Sequence, residues 1–199
     1  MPQWASRSGD SLAFMSRVPV AYHAWHKPRV SRHAFLEIAP AATSWRVFGV
    51  HLSAVHAAWT ERRRVFELNA LLREVAKHQA GPHVLAGDFN TVAPGDLLDM
   101  RNLPHRLRAL VWLSGGHIRW KTIATVLGAG YIDAFRRLHP SDPGNTLPTP
   151  DPHVRLDYAF VPGAFVDHIR TCEVVRGADA VAASDHFPLL FEFDEVGGA

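Results

Sequence analysis

Four short segments end apolar runs with groups able to do chemistry: Gly49-Val50-His51-Leu52, Gly87-Asp88-Phe89-Asn90, Arg155-Leu156-Asp157-Tyr158 and Ser184-Asp185-His186. Their carboxylates are hard oxygen donors suited to a divalent cation, and their histidines exchange protons near neutral pH. Alone, each segment says little, because an aspartate at a strand end is more often a turn former or a helix cap. Together they say more: strand ends that converge on one edge of an α/β layer are where sites are built. Adjacent Ser184, Asp185 and His186 cannot act as a triad from a regular strand, whose neighbouring side chains point to opposite faces. Asp185 and His186 therefore share a site only through a turn.

Those segments need elements behind them. Trp45–Leu52 is rich in β-branched and aromatic residues and reads as a buried strand, as does His83–Ala86, while Ser11–Ser16 and Ala34–Ile38 are shorter apolar runs. Thr60 opens a helix with Glu61 in its first turn and Val65, Leu68, Leu71, Leu72, Val75 and Ala76 at helical spacing. Gly81-Pro82 stops it. Helical stretches follow over Asp96–Met100, His105–Leu113 and Arg119–Leu127. Residues 140–153, with five prolines, must be extended loop. Arg155–Val161, Thr171–Val175 and Phe187–Phe193 complete the set as strands. The order lacks a strict β–α–β rhythm, so an α+β sandwich of mixed sheets fits better than a doubly wound one.

Composition narrows the class. At 199 residues, 47% hydrophobic and 20% charged, the chain reads as one soluble globular domain spanning 1–199. No apolar run approaches the roughly 20 residues a membrane-spanning helix needs. The start, Met1-Pro2-Gln3-Trp4, has no apolar stretch of a secretory signal. One cysteine, Cys172, excludes an intrachain disulfide and leaves a reduced, cytoplasmic setting as the expectation. The formal charge of +2 forces no nucleic-acid reading, and no stable protein partner is expected. Glycine loops that cradle nucleotides and the Gly-x-Ser-x-Gly elbow are absent. Of the 13 histidines, His23, His26 and His33 sit close enough in sequence to be weighed as a metal cluster, but loop histidines are the better account.

The ordered motifs resemble the endonuclease/exonuclease/phosphatase superfamily, the deoxyribonuclease I-like fold. His-Leu ends a strand, an Arg-bearing helix follows, then Gly-Asp-Phe-Asn, an Arg-Leu-Asp-Tyr strand and Ser-Asp-His-Phe-Pro-Leu; Leu12–Val20 is similar to the family strand ending in Ser-Arg-x-Pro. The resemblance covers about Gly9 to Phe193. It implies a four-layer α/β sandwich of two packed mixed sheets flanked by helices, and a Mg2+ (or Mn2+)-dependent phosphoester hydrolase, a phosphodiesterase or nuclease. By that resemblance Asp88 orients or deprotonates the attacking water, and Asn90 binds a phosphate oxygen. His186, partnered by Asp157, contacts the scissile phosphate, His51 donates to the phosphate or leaving oxygen, and Asp185 is a metal ligand. Arg62, from the run Arg62-Arg63-Arg64, joins Arg155 and Asp133 on the substrate side. Arg155 is alternatively a salt bridge, and Asp133 a loop anchor.

The pattern is N-terminally incomplete. The family carries an asparagine on its first strand and a Gln-Glu pair whose glutamate holds metal, whereas the only acids before Glu61 are Asp10 and Glu37. A βαβ unit's worth, about 30 residues or more, is missing. Either Met1 is internal to a longer protein or the chain is truncated, and a truncated chain would be a non-catalytic phosphate- or nucleic-acid-binding remnant. The expected substrate is a phosphate ester, DNA among the candidates. Arg101, Arg106, Arg108, Arg119 and Lys121 with Trp112 and Trp120 form a basic, aromatic insertion suited to a nucleic-acid backbone. An amphipathic helical pair burying Leu107, Leu110, Val111 and Leu113 explains the same residues equally well.

Overall fold

The structure is a computed structural model that describes residues 3–29, 31–54, 58–78, 80–96, 101, 105–113 and 119–197. A six-stranded sheet forms its middle. In chain order, β3 (Val20–His26), β4 (Phe35–Pro40), β5 (Arg46–His51), β6 (His83–Asp88), β7 (Tyr131–Asp133) and β8 (Asp157–Pro162) assemble as β3-β4-β5-β6-β8-β7. Only β5 and β6 run parallel; the long crossover between them is α1 (Ala58–Val75). All other neighbours in that sheet are antiparallel.

Residue alternation along these strands supplies both faces of the sheet. Phe48, Val50, Leu85, Tyr158 and Phe160 point to one side, where they meet Leu68, Leu71 and Val75 of α1 and Ile123 and Val126 of α3 (Lys121–Gly128). Val47, Val84, Ala86, Ala159 and Val161 point to the other. There they pack against a second, antiparallel sheet of β9 (Ile169–Val174) and β10 (Leu189–Phe193), together with Phe135 of α4 (Ala134–Leu138). The expected sandwich, two sheets flanked by helices, is the architecture observed; the second sheet is an antiparallel pair rather than mixed. A third pair, β1 (Gln3–Ser6) with β2 (Ala13–Ser16), lies outside both. Among the described residues from 3 to 33 none is buried, and Trp4 and Met15, cross-strand neighbours there, are 70% and 82% exposed.

The expected strands at 45–52, 83–86, 155–161, 171–175 and 187–193 and the helix at 105–113 (α2) lie within two residues of the observed elements. Asp96–Met100 runs into residues outside the described set, as do the side chains of Arg106, Leu107, Leu110 and Val111. Five elements carried no periodic signal: β1, β3, the three-residue β7, the short α4, and α5 (Ala178–Ala183). β3 reads Val-Ala-Tyr-His-Ala-Trp-His and is an edge strand with no fully buried residue. No helix among the described residues is long and apolar enough to cross a membrane.

Candidate active site

Strand register builds the site. His51 ends β5 and Asp88 ends β6, and the parallel ladder sets them side by side; the antiparallel ladder then pairs Asp88 with Asp157, the first residue of β8. Three consecutive strands thus deliver a His–Asp–Asp row to one sheet edge. Gly87 permits the close approach. Its φ is +136°, and a Cβ there would stand 2.1 Å from the Val50 carbonyl oxygen.

After Asp88 the chain turns through Asn90, held in the left-handed region at φ 51°. Its N–H donates to Asp88 Oδ1 at 2.7 Å, and its Nδ2 donates to Asp88 Oδ2 at 2.8 Å and to the Leu52 carbonyl at 2.9 Å. Asn90 therefore aims the carboxylate, with both amide hydrogens engaged inside the protein. Buried Tyr158 secures the adjoining loop, its hydroxyl reaching the Thr91 and Arg155 carbonyls at 3.0 and 3.1 Å.

His186 arrives on a turn. Residues 185 and 186 form a bend before β10, fixed because the Thr149 N–H donates to the Asp185 carbonyl at 2.9 Å and the Phe187 N–H to the Thr146 carbonyl at 2.8 Å. The His186 Nδ1 then lies 2.8 Å from Asp157 Oδ2. Asp185 is exposed on the same bend, near enough for its charge to favour the imidazolium of His186.

The electrostatics of the row are unbalanced. Burial, then the facing charge of Asp157, pushes the Asp88 carboxyl up to about 6. The hydrogen bond that His186 donates to Asp157 raises it above the ordinary histidine value. His51 is held below it, by burial first and then by His33 and His186; its Nε2 lies 3.8 Å from Asp88 Oδ2. The edge thus offers a half-buried carboxylate pushed up to about 6, a histidine raised above its ordinary value and one lowered below it. Such separated protonation states are what acid–base chemistry uses.

Two assignments need correction. Arg155 is 2% exposed and grips carboxylates rather than facing a ligand: its Nε donates to Asp96 at 3.0 Å and its Nη1 to Asp133 at 2.7 Å. Its guanidinium also lies 4.5 Å from the Tyr158 ring centroid. Asp133, equally buried, spends its other oxygen capping α4 through the Arg136 N–H. Arg62 is exposed, and the arginine of that run turned inward is Arg64, paired with Glu61 at 2.8 Å and donating to the Ser53 carbonyl at 2.9 Å. Helical geometry is the reason: residue 64 shares a face with 61, 68 and 71, whereas 62 lies about 100° away from 61.

The three N-terminal histidines do not converge. His23 lies against Phe14 and Trp25, His26 pairs with Glu37, and His33 stacks on His51. Sequence reasoning missed His33, Glu67 and Asp96; the polar residues on the apolar face of α1 were the available signal. Among the described residues no three His, Cys, Asp or Glu side chains converge as a metal cage. Mg2+ does not require one, since it is commonly held by one or two carboxylates, waters and the substrate's phosphate. Exposed Asp185, on the bend that carries His186, is a carboxylate of the kind such a cation takes.

A profile of the Endonuclease/Exonuclease/phosphatase family matches residues 5–186. The fold is similar to an AP endonuclease from Archaeoglobus fulgidus, with TM-score 0.68 and 16% identity over 92% of this chain and 74% of that one. It is similar also to a 3′ phosphatase, NExo, from Neisseria bound to product DNA hairpin, with TM-score 0.65, 19% identity and the same coverage of 92% and 74%. A 3′-5′ exonuclease from Neisseria meningitidis aligns likewise, at TM-score 0.65 and 20% identity, covering 92% and 74%. No curated protein matches by sequence.

Proposed function

The chain belongs to the Endonuclease/Exonuclease/phosphatase family, and from that membership we propose that it is a divalent-metal-dependent phosphoester hydrolase acting on phosphodiesters, DNA among them. The observation that carries this reading is the row itself: Asp88 and Asp157 face each other across the β6–β8 ladder, and His186, raised above its ordinary value, is bonded to Asp157 beside them. In this reading Asp88, aimed by Asn90, takes a proton from the attacking water. His186, bonded to Asp157, donates to a non-bridging oxygen of the scissile phosphate, and neutral His51 donates a hydrogen bond to the departing oxygen, which takes its proton from solvent. Asp185 would hold Mg2+ (or Mn2+) together with the phosphate, and the ion, when bound, neutralises charge developing on the phosphoryl oxygens. Arg62, exposed on α1, is free to meet the substrate backbone; Arg155 and Asp133 are withdrawn from that role.

The DNA carried by the similar Neisseria 3′ phosphatase supports a nucleic-acid substrate. So does exposed Trp112 beside the basic residues of α2 and its flanks. Residues 1–199 act in this proposal as one domain, in the reducing cytoplasm that a lone cysteine suits. The Cys172 thiol, buried and pushed up to about 12, is inert there.

Turnover of a generic phosphodiester and of abasic DNA, with MgCl2 against EDTA, tests the proposal. Metal-dependent hydrolysis that collapses in Asp88→Ala and His186→Ala is expected; hydrolysis that survives both defeats the site. A second reading is a phosphate- or nucleic-acid-binding domain without turnover. Mg2+-independent DNA binding with no hydrolysis would select it.

A further inference from the structure

Glu67, on the inner face of α1, is 3% exposed and spends its carboxylate on two loops. Oε1 accepts from Ser53 Oγ at 3.0 Å and from the Arg32 N–H at 3.2 Å, while Oε2 accepts from the Ser53 N–H at 3.2 Å. One donor lies in the connection entering β4, beside His33. The other lies in the connection leaving β5, just beyond His51. The same carboxylate therefore ties together the two stretches of chain that carry these histidines. Their rings lie face to face, centroids 5.3 Å apart and planes 11° from parallel.

His51 has little else to orient it. Among the described residues its ring makes no direct hydrogen bond, and the nearest charge, Asp88 Oδ2, is 3.8 Å from Nε2. The terminal torsion of a histidine is broad, so an imidazole without hydrogen bonds takes its plane from whatever packs on it. Burial, the largest cause for each, holds both rings below the ordinary histidine value, so the stack joins neutral rings rather than repelling cations.

We infer that His33 is a positioning residue: clamped through Glu67, its ring fixes the plane of the His51 imidazole and so aims Nε2 along the row that ends in Asp88 and Asp157. The kinetic consequence rests on the hydrolase reading above; the geometric one does not. His33 touches no reacting atom in this scheme and acts only through His51.

The test uses the full chain as His33→Ala and His33→Phe, with turnover of bis(p-nitrophenyl) phosphate in MgCl2 and the His51 Cε1–H resonance as readouts. Alanine is expected to lower kcat about tenfold with KM within about twofold, since a misaimed group costs rate rather than ground-state binding. It should also move the His51 resonance as the ring current of its neighbour disappears. Phenylalanine, which keeps a flat ring but no ionisable nitrogen, is expected to return both readouts close to wild type. An unmoved resonance in His33→Ala overturns the stack, and an unchanged kcat alongside a moved resonance overturns the positioning role. A phenylalanine variant as slow as alanine overturns the claim that the ring's plane, and not its nitrogens, is what matters. If the wild-type chain turns over nothing, the hydrolase reading and the kinetic role of His33 fail together, while the resonance still decides whether His33 stacks on His51.

Discussion

The Asp88–Asp157–His186 row and the Arg155–Asp96–Asp133 knot lie at the same edge of the six-stranded sheet, with Asp157 and Arg155 only two positions apart in the chain. They handle charge in opposite ways. In the knot the Arg155 guanidinium meets two carboxylates and an aromatic face, and Arg136 brings a second guanidinium to Asp96 at 3.0 Å. In the row two carboxylates face each other, and among the described residues Asp88 receives hydrogen bonds only from the neutral Asn90. Burial first, and then the facing charge of Asp157, pushes its carboxyl up to about 6, and no guanidinium of the described residues is bonded to it as Arg155 is to Asp133. Residue type does not separate a structural cluster from a chemical one here. Completeness of pairing does.

Mutation can break this contrast. The largest effects are expected from truncating one member of each cluster. Arg155→Ala leaves buried Asp133 without its cation and Asp96 with Arg136 alone, and should cost about 3 kcal/mol of folding stability, read by urea denaturation, while the folded fraction keeps its specific activity. Asp88→Ala should do the reverse, lowering kcat/KM about a thousandfold with stability changed by about 1 kcal/mol or less. If Arg155→Ala keeps its denaturation midpoint and loses turnover, the distinction collapses.

A subtler prediction concerns pH. Because the folded-state value of Asp88 is raised to about 6 from an ordinary value of 3.8, the native state binds the proton more tightly than the unfolded chain. Stability from this group is therefore greatest below the unfolded value and falls as pH rises through about 6. Asp88→Asn, which cannot ionise, should be more stable than wild type at pH 8 in EDTA by about 1–2 kcal/mol, less what is lost from the Asn90 hydrogen bonds. At pH 4 that advantage should vanish. Equal stabilities at both pH values would mean that Asp88 is not strained by its surroundings. Smallest of all, Arg62→Ala should move stability by less than about 0.5 kcal/mol, as expected of an exposed side chain. A shift of several kcal/mol would place Arg62 in a buried network after all.

The same contrast explains what was legible in the sequence. His51, Asp88, Asp157 and His186 were legible as candidates because each sits at one end of an apolar run, while their roles came from the family resemblance. Arg155 and Asp133 were given substrate-side roles in the same way; only Asp96, which Arg136 and Arg155 both grip from 40 and 59 residues away, reveals otherwise. Long-range pairing of that kind leaves no local trace. His33 escaped for a related reason: its partner, His51, lies beyond an intervening strand, and its anchor, Glu67, looks like an ordinary charge on a helix. β3 was missed because an edge strand can alternate histidine with aromatics and need not bury either face.

Gly87 sets a different kind of limit. A lineage that loses Asp88 to a point change gives up chemistry and keeps its scaffold, so reversion restores what was lost. Any side chain at Gly87 collides with the Val50 carbonyl and pries β5 from β6. That loss is architectural, and reverting a neighbour does not repair it. Of all the positions in the row, the one without a side chain is thus the least forgiving historically: drift can silence this site repeatedly, yet it can pass through Gly87 only by abandoning the register that places His51 beside Asp88.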